Sequence, residues 1–316
     1  MARTRIRTAL GLVAALLALA ACEPVGVRSS PLPSARPATP AGPVVRPQSA
    51  ESLALREYYR GVQQNLLAQG LLRTDGGGPD TPFSQRQLVE NFVRIALFEE
   101  FSRMGGRLVA QETESQLHRW SRPIRMHVRF GDTVPLAQRE SDRLAIRQYA
   151  QRLSRLTGLP ITVTASNPNF HVFIVNEDER RAIGPDLRAI IPDINNSAIG
   201  TVQNMSRSTF CLVFARDLTG EGTYTEAVAV IRGEHPDLLR LSCIHEELAQ
   251  GLGLSNDSPA ARPSIFNDDE EFGLLTTHDE LLLRMLYDPR MRPGMTVSQA
   301  RPVAEQIAAE LLGGES

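Results

Sequence analysis

"HEELAQGLGLSND", His245 to Asp257, decides how this chain is read. It opens with His-Glu, as do helices that grip a metal ion between two histidines four residues, or about one turn, apart. Four places after His245, however, stands Ala249, which cannot hold a metal. The stretch belongs to "HPDLLRLSCIHEELAQGLGL", where Leu241, Ile244, Leu248 and Leu252 recur at helical spacing and predict one buried stripe. A lone histidine on such a helix takes its role from its partners and is more often structural than catalytic.

Upstream of this helix the period changes. "WSRPIRMHVRF" alternates Ile124, Met126, Val128 and Phe130, the signature of a half-buried strand. "VPLAQRESDRLAIRQYAQRLSRLTG" predicts a long helix ended by Gly158, and "LPITVTAS" and "NFHVFIVN" predict strands. "EDERRAIGPDLRAII" reads as a short helical or irregular insertion. "STFCLVFAR" and "YTEAVAVIR" are two more strands, separated by the turn-forming "DLTGEG". Nearer the N-terminus, residues 51–72 predict an amphipathic helix. "TDGGGPDTP" follows as a turn without the lysine or spacing of a phosphate-binding loop. "SQRQLVENFVRIALFEEFSR" predicts a second helix, capped by Ser84, with Leu88, Phe92, Ile95 and Phe98 on one face. The two helices are expected to pair as a helical hairpin over residues 51–104. A main α+β domain at 115–300 and a C-terminal tail at 301–316 complete the expected body.

Strand, long helix, a run of strands, then a helix bearing His-Glu resembles the zincin peptidases, and over residues 115–300 the metzincins in particular. That resemblance implies a mixed sheet with a long backing helix, an active-site-type helix and a substrate-binding edge strand. The metzincin pattern H-E-x-x-H-x-x-G-x-x-H fits best when the register starts one residue late. Glu246 then replaces the first histidine, Gln250 the second and Asn256 the third. Gly253 falls on the glycine, and Glu247 takes the place of the water-activating glutamate. "PSIFND" resembles the turn beneath the metal in metzincins, with Phe266 where methionine would stand. In "HDELLLRMLY", Asp279 and Tyr287 stand eight apart, as in the terminal helix of matrixin-like members. The chain also resembles an uncharacterised family of bacterial lipoproteins, domain of unknown function 2927. On this register all three histidine ligands are replaced by oxygen donors, two of them neutral amides that hold zinc weakly. The expectation is therefore no metal and no cofactor. His245, Glu246, Gln250, Asn256 and Asp257 would be polar groups of a binding cleft, with Glu247 the one candidate catalytic residue.

The first 22 residues, "MARTRIRTALGLVAALLALAAC", have a basic start and an apolar run too short for a comfortable membrane span, as a signal segment does. "LAAC" looks like a lipobox, which implies lipidation of Cys22, and the following Glu23 implies sorting to the outer membrane. Residues 23–50 carry seven of the 21 prolines and predict an extended tether rather than a folded element. The body is expected to face the periplasm, where Cys211 and Cys243 can form a disulfide. A net charge of -2 leaves no footprint for nucleic acid. The expected partners are an envelope protein or peptide, and the membrane through the lipid. Non-catalytic binding is the leading expectation. The alternatives are a hydrolase with an unconventional site and a scaffold that docks through its N-terminal helices.

Overall fold

The structure, a computed structural model, describes residues 46–104, 107–267 and 269–313. The expected signal segment, Cys22 and the tether as far as residue 45 lie outside the described residues. Among the described residues no helix is long and apolar enough to cross a membrane.

The chain opens with α1 (Ala50–Ala68) and α2 (Gln85–Ala96), then a hairpin of β1 (Phe98–Met104) and β2 (Arg107–Glu114). β3 (Arg119–Trp120) and β4 (Ile124–Phe130) lead into the long α3 (Leu136–Thr157), then β5 (Ile161–Val163) and β6 (Phe170–Val175). Three short helices follow: α4 (Glu177–Arg181), α5 (Gly184–Ile190) and α6 (Asn196–Gln203). β7 (Cys211–Asp217) and β8 (Thr223–Arg232) precede α7 (Asp237–Gln250), α8 (Thr277–Tyr287) and α9 (Val297–Gly313).

The fold is α+β around a mixed, mostly parallel sheet. β5, β4, β6 and β8 lie side by side and parallel, β3 joins the start of β8, and β7 runs antiparallel to β8. Every residue of β6, "FHVFIV", is buried, as a central strand covered on both faces requires. Strand alternation sorts the two faces. Ile124, Met126 and Val128 of β4, Phe170, Val172 and Ile174 of β6, and Ala227, Ala229 and Ile231 of β8 join the main core. Ile146, Tyr149 and Leu153 of α3, with Ile244 and Leu248 of α7, complete that side. On the other face, Phe173, Val175, Val228 and Val230 pack with Leu187 of α5 and with Ile199 and Val202 of α6.

Local signals placed several of these elements. Ser84 caps α2 in a reciprocal box with Gln87, worth about 1 kcal/mol. Gly158 ends α3 in the left-handed conformation that glycine adopts without strain.

Three expectations are corrected. α2 stops at Ala96, and Phe98–Met104 is a strand paired with Arg107–Glu114. A short segment with apolar residues three apart carries both periods, and pairing across the intervening Gly105-Gly106 decides it as strand. α1 and α2 bury their faces in different places. Leu55 and Tyr59 of α1 cluster with Leu72 and Leu239, whereas α2 enters the main core against α8 and α9. The C-terminal segment is no tail: α9 buries Ala300, Ala304, Ile307 and Ala308.

The expected disulfide is present. Cys211 at the head of β7 is bonded to Cys243 of α7, with their Cα atoms 5.9 Å apart. It fastens α7 to the one strand of the main sheet that runs antiparallel. Closing a loop of 32 residues constrains the unfolded chain by roughly 3–4 kcal/mol. Replacing both cysteines by alanine should lower the unfolding free energy by about that amount. Thiol labelling of the denatured, unreduced chain should find neither Cys211 nor Cys243 reactive.

Candidate functional site

α7 is pinned before any of its polar groups can act. Tyr149 of α3 stacks on the His245 ring, with centroids 3.9 Å apart and planes within 7°. Its hydroxyl donates to the His245 carbonyl at 2.8 Å. The Leu275 backbone N–H donates to His245 Nδ1 at 3.1 Å, which leaves the ring proton on Nε2. Burial, with Arg152 adding to it, depresses the imidazole pKa to about 3. His245 is thus a neutral clamp between α3, α7 and the segment entering α8.

The next two residues behave differently. Glu246 is half-buried and Glu247 buried, and their carboxylates converge with Cys211 Sγ to within 4.8 Å of one another. Glu246 Oε2 stands 4.0 Å from that sulfur. The grouping has the outline of a metal site but not the chemistry, because a disulfide sulfur is no thiolate. Two carboxylates remain, a weak set for zinc.

Gln250 and Asn256, the amides in the other ligand positions, are both engaged within the protein. Gln250 Nε2 donates to Asp257 Oδ1 at 2.9 Å. Asn256, buried, donates from Nδ2 to the Arg94 carbonyl at 2.9 Å, and its backbone N–H meets the Ile95 carbonyl at 3.1 Å. Asn256 therefore caps the C-terminal end of α2. Of the expected cleft residues, Glu246 and Glu247 form one group, Gln250 and Asp257 a second, and His245 and Asn256 are structural.

The glycine of the pattern is required. Gly253 has φ of +121°, and a Cβ there would stand 2.1 Å from the His118 carbonyl oxygen. No side chain fits both the conformation and the space. The carbonyls just beyond α7 are satisfied by residues brought in from elsewhere. Trp120 Nε1 donates to Gly251 O at 2.8 Å, and the Tyr287 hydroxyl donates to Leu252 O at 2.8 Å.

Phe266 is fully buried in the main core, and its turn is held by α8. Asp279 accepts from the Ser264 hydroxyl at 2.6 Å, the Ile265 N–H at 3.0 Å and the Thr276 hydroxyl at 2.8 Å. Asp279 and Tyr287, read as a spaced pair in the sequence, thus brace the Phe266 turn and the end of α7 respectively. Cavities of about 350 Å³ beside Phe83 and Arg284, and of about 290 Å³ beside Arg129 and Glu179, lie away from residues 245–257.

What emerges is an α+β protein whose braced helix carries acidic groups to the head of an antiparallel strand. The chain belongs to the family described as "Protein of unknown function (DUF2927)", whose pattern matches residues 85–306, more than half its length. No curated protein and no solved structure matches it.

Three buried imidazoles predict a pH dependence. Burial lowers the pKa of His245 to about 3 and of His171 to about 4, and drives that of His235 well below its ordinary value. In the unfolded chain all three protonate near pH 6.5, whereas in the fold they remain neutral. Their full contribution is present above about pH 6.5 and is lost as pH falls toward the folded values. Urea midpoints should therefore drop steadily between pH 7 and pH 4. His245→Asn, which keeps an acceptor for Leu275, should be less stable at pH 7 but have a shallower slope, by up to about 1.4 kcal/mol per pH unit. An unchanged slope would contradict a buried neutral His245.

Proposed function

We propose that this is a lipid-anchored protein of the bacterial cell envelope, held to the outer membrane through Cys22 and facing the periplasm. Its zincin-like body binds an extended peptide or protein segment without cutting it. Several features support the zincin-like reading. The sheet is mixed with an antiparallel strand at β7, α3 and α7 share one of its faces, Gly253 breaks the chain after α7, and Asp279 secures the Phe266 turn. Among the described residues β7 pairs only with β8, so its other side is a strand edge suited to adding a peptide.

The observation that carries the non-catalytic part is the fate of the amides. Asn256 is engaged by the Arg94 carbonyl and Gln250 by Asp257, so neither amide is available to join Glu246 and Glu247 on an ion. Without a firmly held metal there is no activated water for Glu247 to deprotonate.

Two measurements test this reading. Radiolabelled palmitate should enter the wild-type chain and be absent from Cys22→Ala; label in that variant would refute the anchor. Peptides selected from a displayed library on the immobilised chain should bind at least tenfold more weakly to Glu246→Arg. They should bind unchanged to Leu53→Asp/Tyr58→Asp, which alters only exposed positions of α1. The opposite pattern would give the binding role to α1, and peptide hydrolysis abolished by Glu247→Gln would make the protein an enzyme.

A further inference from the structure

The face of the sheet turned away from α7 holds an unexplained group. On β4, Arg125, His127 and Arg129 point to this face, opposite the buried Ile124, Met126 and Val128. His127 pairs directly with His171 of the neighbouring strand β6, so the two imidazoles stand side by side. His171 in turn pairs with Val228 of β8, which puts Glu226, two residues earlier on the same face, diagonally beside it. α5 and α6 cover only the part of this face formed by Phe173, Val175, Val228 and Val230. His127 and Glu226 remain half-buried.

His171 is 5% exposed, yet its ring makes no hydrogen bond. Nδ1 has no partner, and Nε2 stands 3.9 Å from Glu226 Oε1, beyond hydrogen-bond reach. A buried imidazole with neither nitrogen bonded calls for a ligand, a water or an ion. Glu226 is itself held in place. Its Oε2 accepts a long hydrogen bond of 3.5 Å from Arg216 Nη1, while Arg216 Nη2 grips Asp193 at 2.7 and 2.9 Å. Oε1 is left facing His171.

We propose that His127, His171 and Glu226 form a binding site for a first-row divalent cation, of which zinc is the representative. Two imidazoles and one carboxylate are a donor set that such ions favour, and three protein ligands leave a fourth position for water. With metal–ligand bonds of about 2.0–2.1 Å, donors of a tetrahedral site lie about 3.4 Å apart. The 3.9 Å between His171 Nε2 and Glu226 Oε1 is within about half an ångström of that spacing. His127 completes the site by turning its ring. Among the described residues, only Cys211, Glu246 and Glu247 already hold three candidate donors within 4.8 Å, and that sulfur is in a disulfide. A half-exposed imidazole changes rotamer on a timescale far shorter than binding. The charged neighbours on this face do not block the site. Arg129 is paired with Asp186 at 3.1 Å, Arg216 with Asp193, and Arg125 donates to the Asn167 carbonyl. Burial and these arginines keep both imidazoles neutral at pH 7, the form that coordinates a metal.

The test uses the full chain, purified without a histidine tag and stripped with chelator. Zinc affinity is read by competition with a chromophoric chelator, and ligand identity by the visible absorption of bound Co²⁺. The expected result is about one ion per chain. Affinity should fall at least tenfold in His127→Ala and in Glu226→Gln, both at half-buried positions, while circular dichroism stays unchanged. The ring nitrogens of His127 and His171 should shift in ¹⁵N NMR on adding zinc, and Glu246→Ala should bind as the wild type does. Absence of saturable binding would overturn the proposal. So would binding that survives both substitutions and disappears in Glu246→Ala, which would put the metal on α7 and also remove the basis of the non-catalytic reading. Loss of peptide binding with this zinc site intact would refute only the peptide-binding reading.

Discussion

The arrangement around α7 depends on how that helix is stopped. At Gly253 the chain passes so close to the His118 carbonyl that a single added carbon would stand 2.1 Å from its oxygen. This approach lets Trp120 and Tyr287 reach the carbonyls of Gly251 and Leu252. Trp120 comes from the start of the sheet and Tyr287 from the end of α8, so one glycine couples three distant parts of the sequence. The Cys211–Cys243 disulfide then fixes the helix sideways to β7. Stopped at one end and bonded at its middle, α7 has little freedom to slide or roll, and Glu246 and Glu247 are presented in one place.

Much of this is legible in the sequence because it is written in local signals. The stripe of Ile244, Leu248 and Leu252, the uninterrupted "FHVFIV", the Ser84 cap and the Gly158 stop each follow from short-range rules of period and conformation. The assignments that fail depend on partners. Phe98–Met104 carries apolar residues that suit a helix or a strand, and pairing with Arg107–Glu114 settles it. α9 buries chiefly alanines and contains Pro302, so its sequence reads as too weakly apolar and too interrupted to be core. Such a helix holds its place through close packing against α2 rather than through a bold stripe.

The candidate site divides along the same line. Reading the pattern from Glu246 places the glycine, the Phe266 turn and its Asp279 brace at positions the structure uses. It does not foresee where two polar side chains point. His245 reads as a cleft histidine, yet its ring lies flat against Tyr149, and no spacing rule links residues 96 apart in sequence. Asn256 reads as a replaced ligand, yet it serves the carbonyl of Arg94. His127 and His171 carry no sequence signal for the same reason. They are 44 residues apart and become neighbours only through the parallel register of β4 and β6.

The same reasoning bears on α1, which follows the proline-rich tether. Its inner face is committed to the body. Ser52 donates to Glu234 Oε1 at 2.7 Å, Tyr59 donates to the Arg207 carbonyl at 3.1 Å, and Gln63 accepts from Leu239 N–H at 3.0 Å. Beneath it lies buried charge: Glu177 bridges Arg180 at 2.6 Å and Arg232 at 2.7 Å, and its backbone N–H shares Glu234 Oε1 with Ser52. Burial pushes the Glu177 carboxyl up, but the two arginines outweigh it and hold it below the ordinary range. Glu234 has no such pair of bonded arginines, and burial raises its pKa despite the Ser52 hydroxyl. Stripping α1 away would remove one of the few groups that satisfy that carboxylate, at a cost comparable to exposing Leu55 and Tyr59. α1 is therefore a structural lid on a charged interior. Any docking through it must use the exposed Leu53, Tyr58 and Leu67 on its outer side.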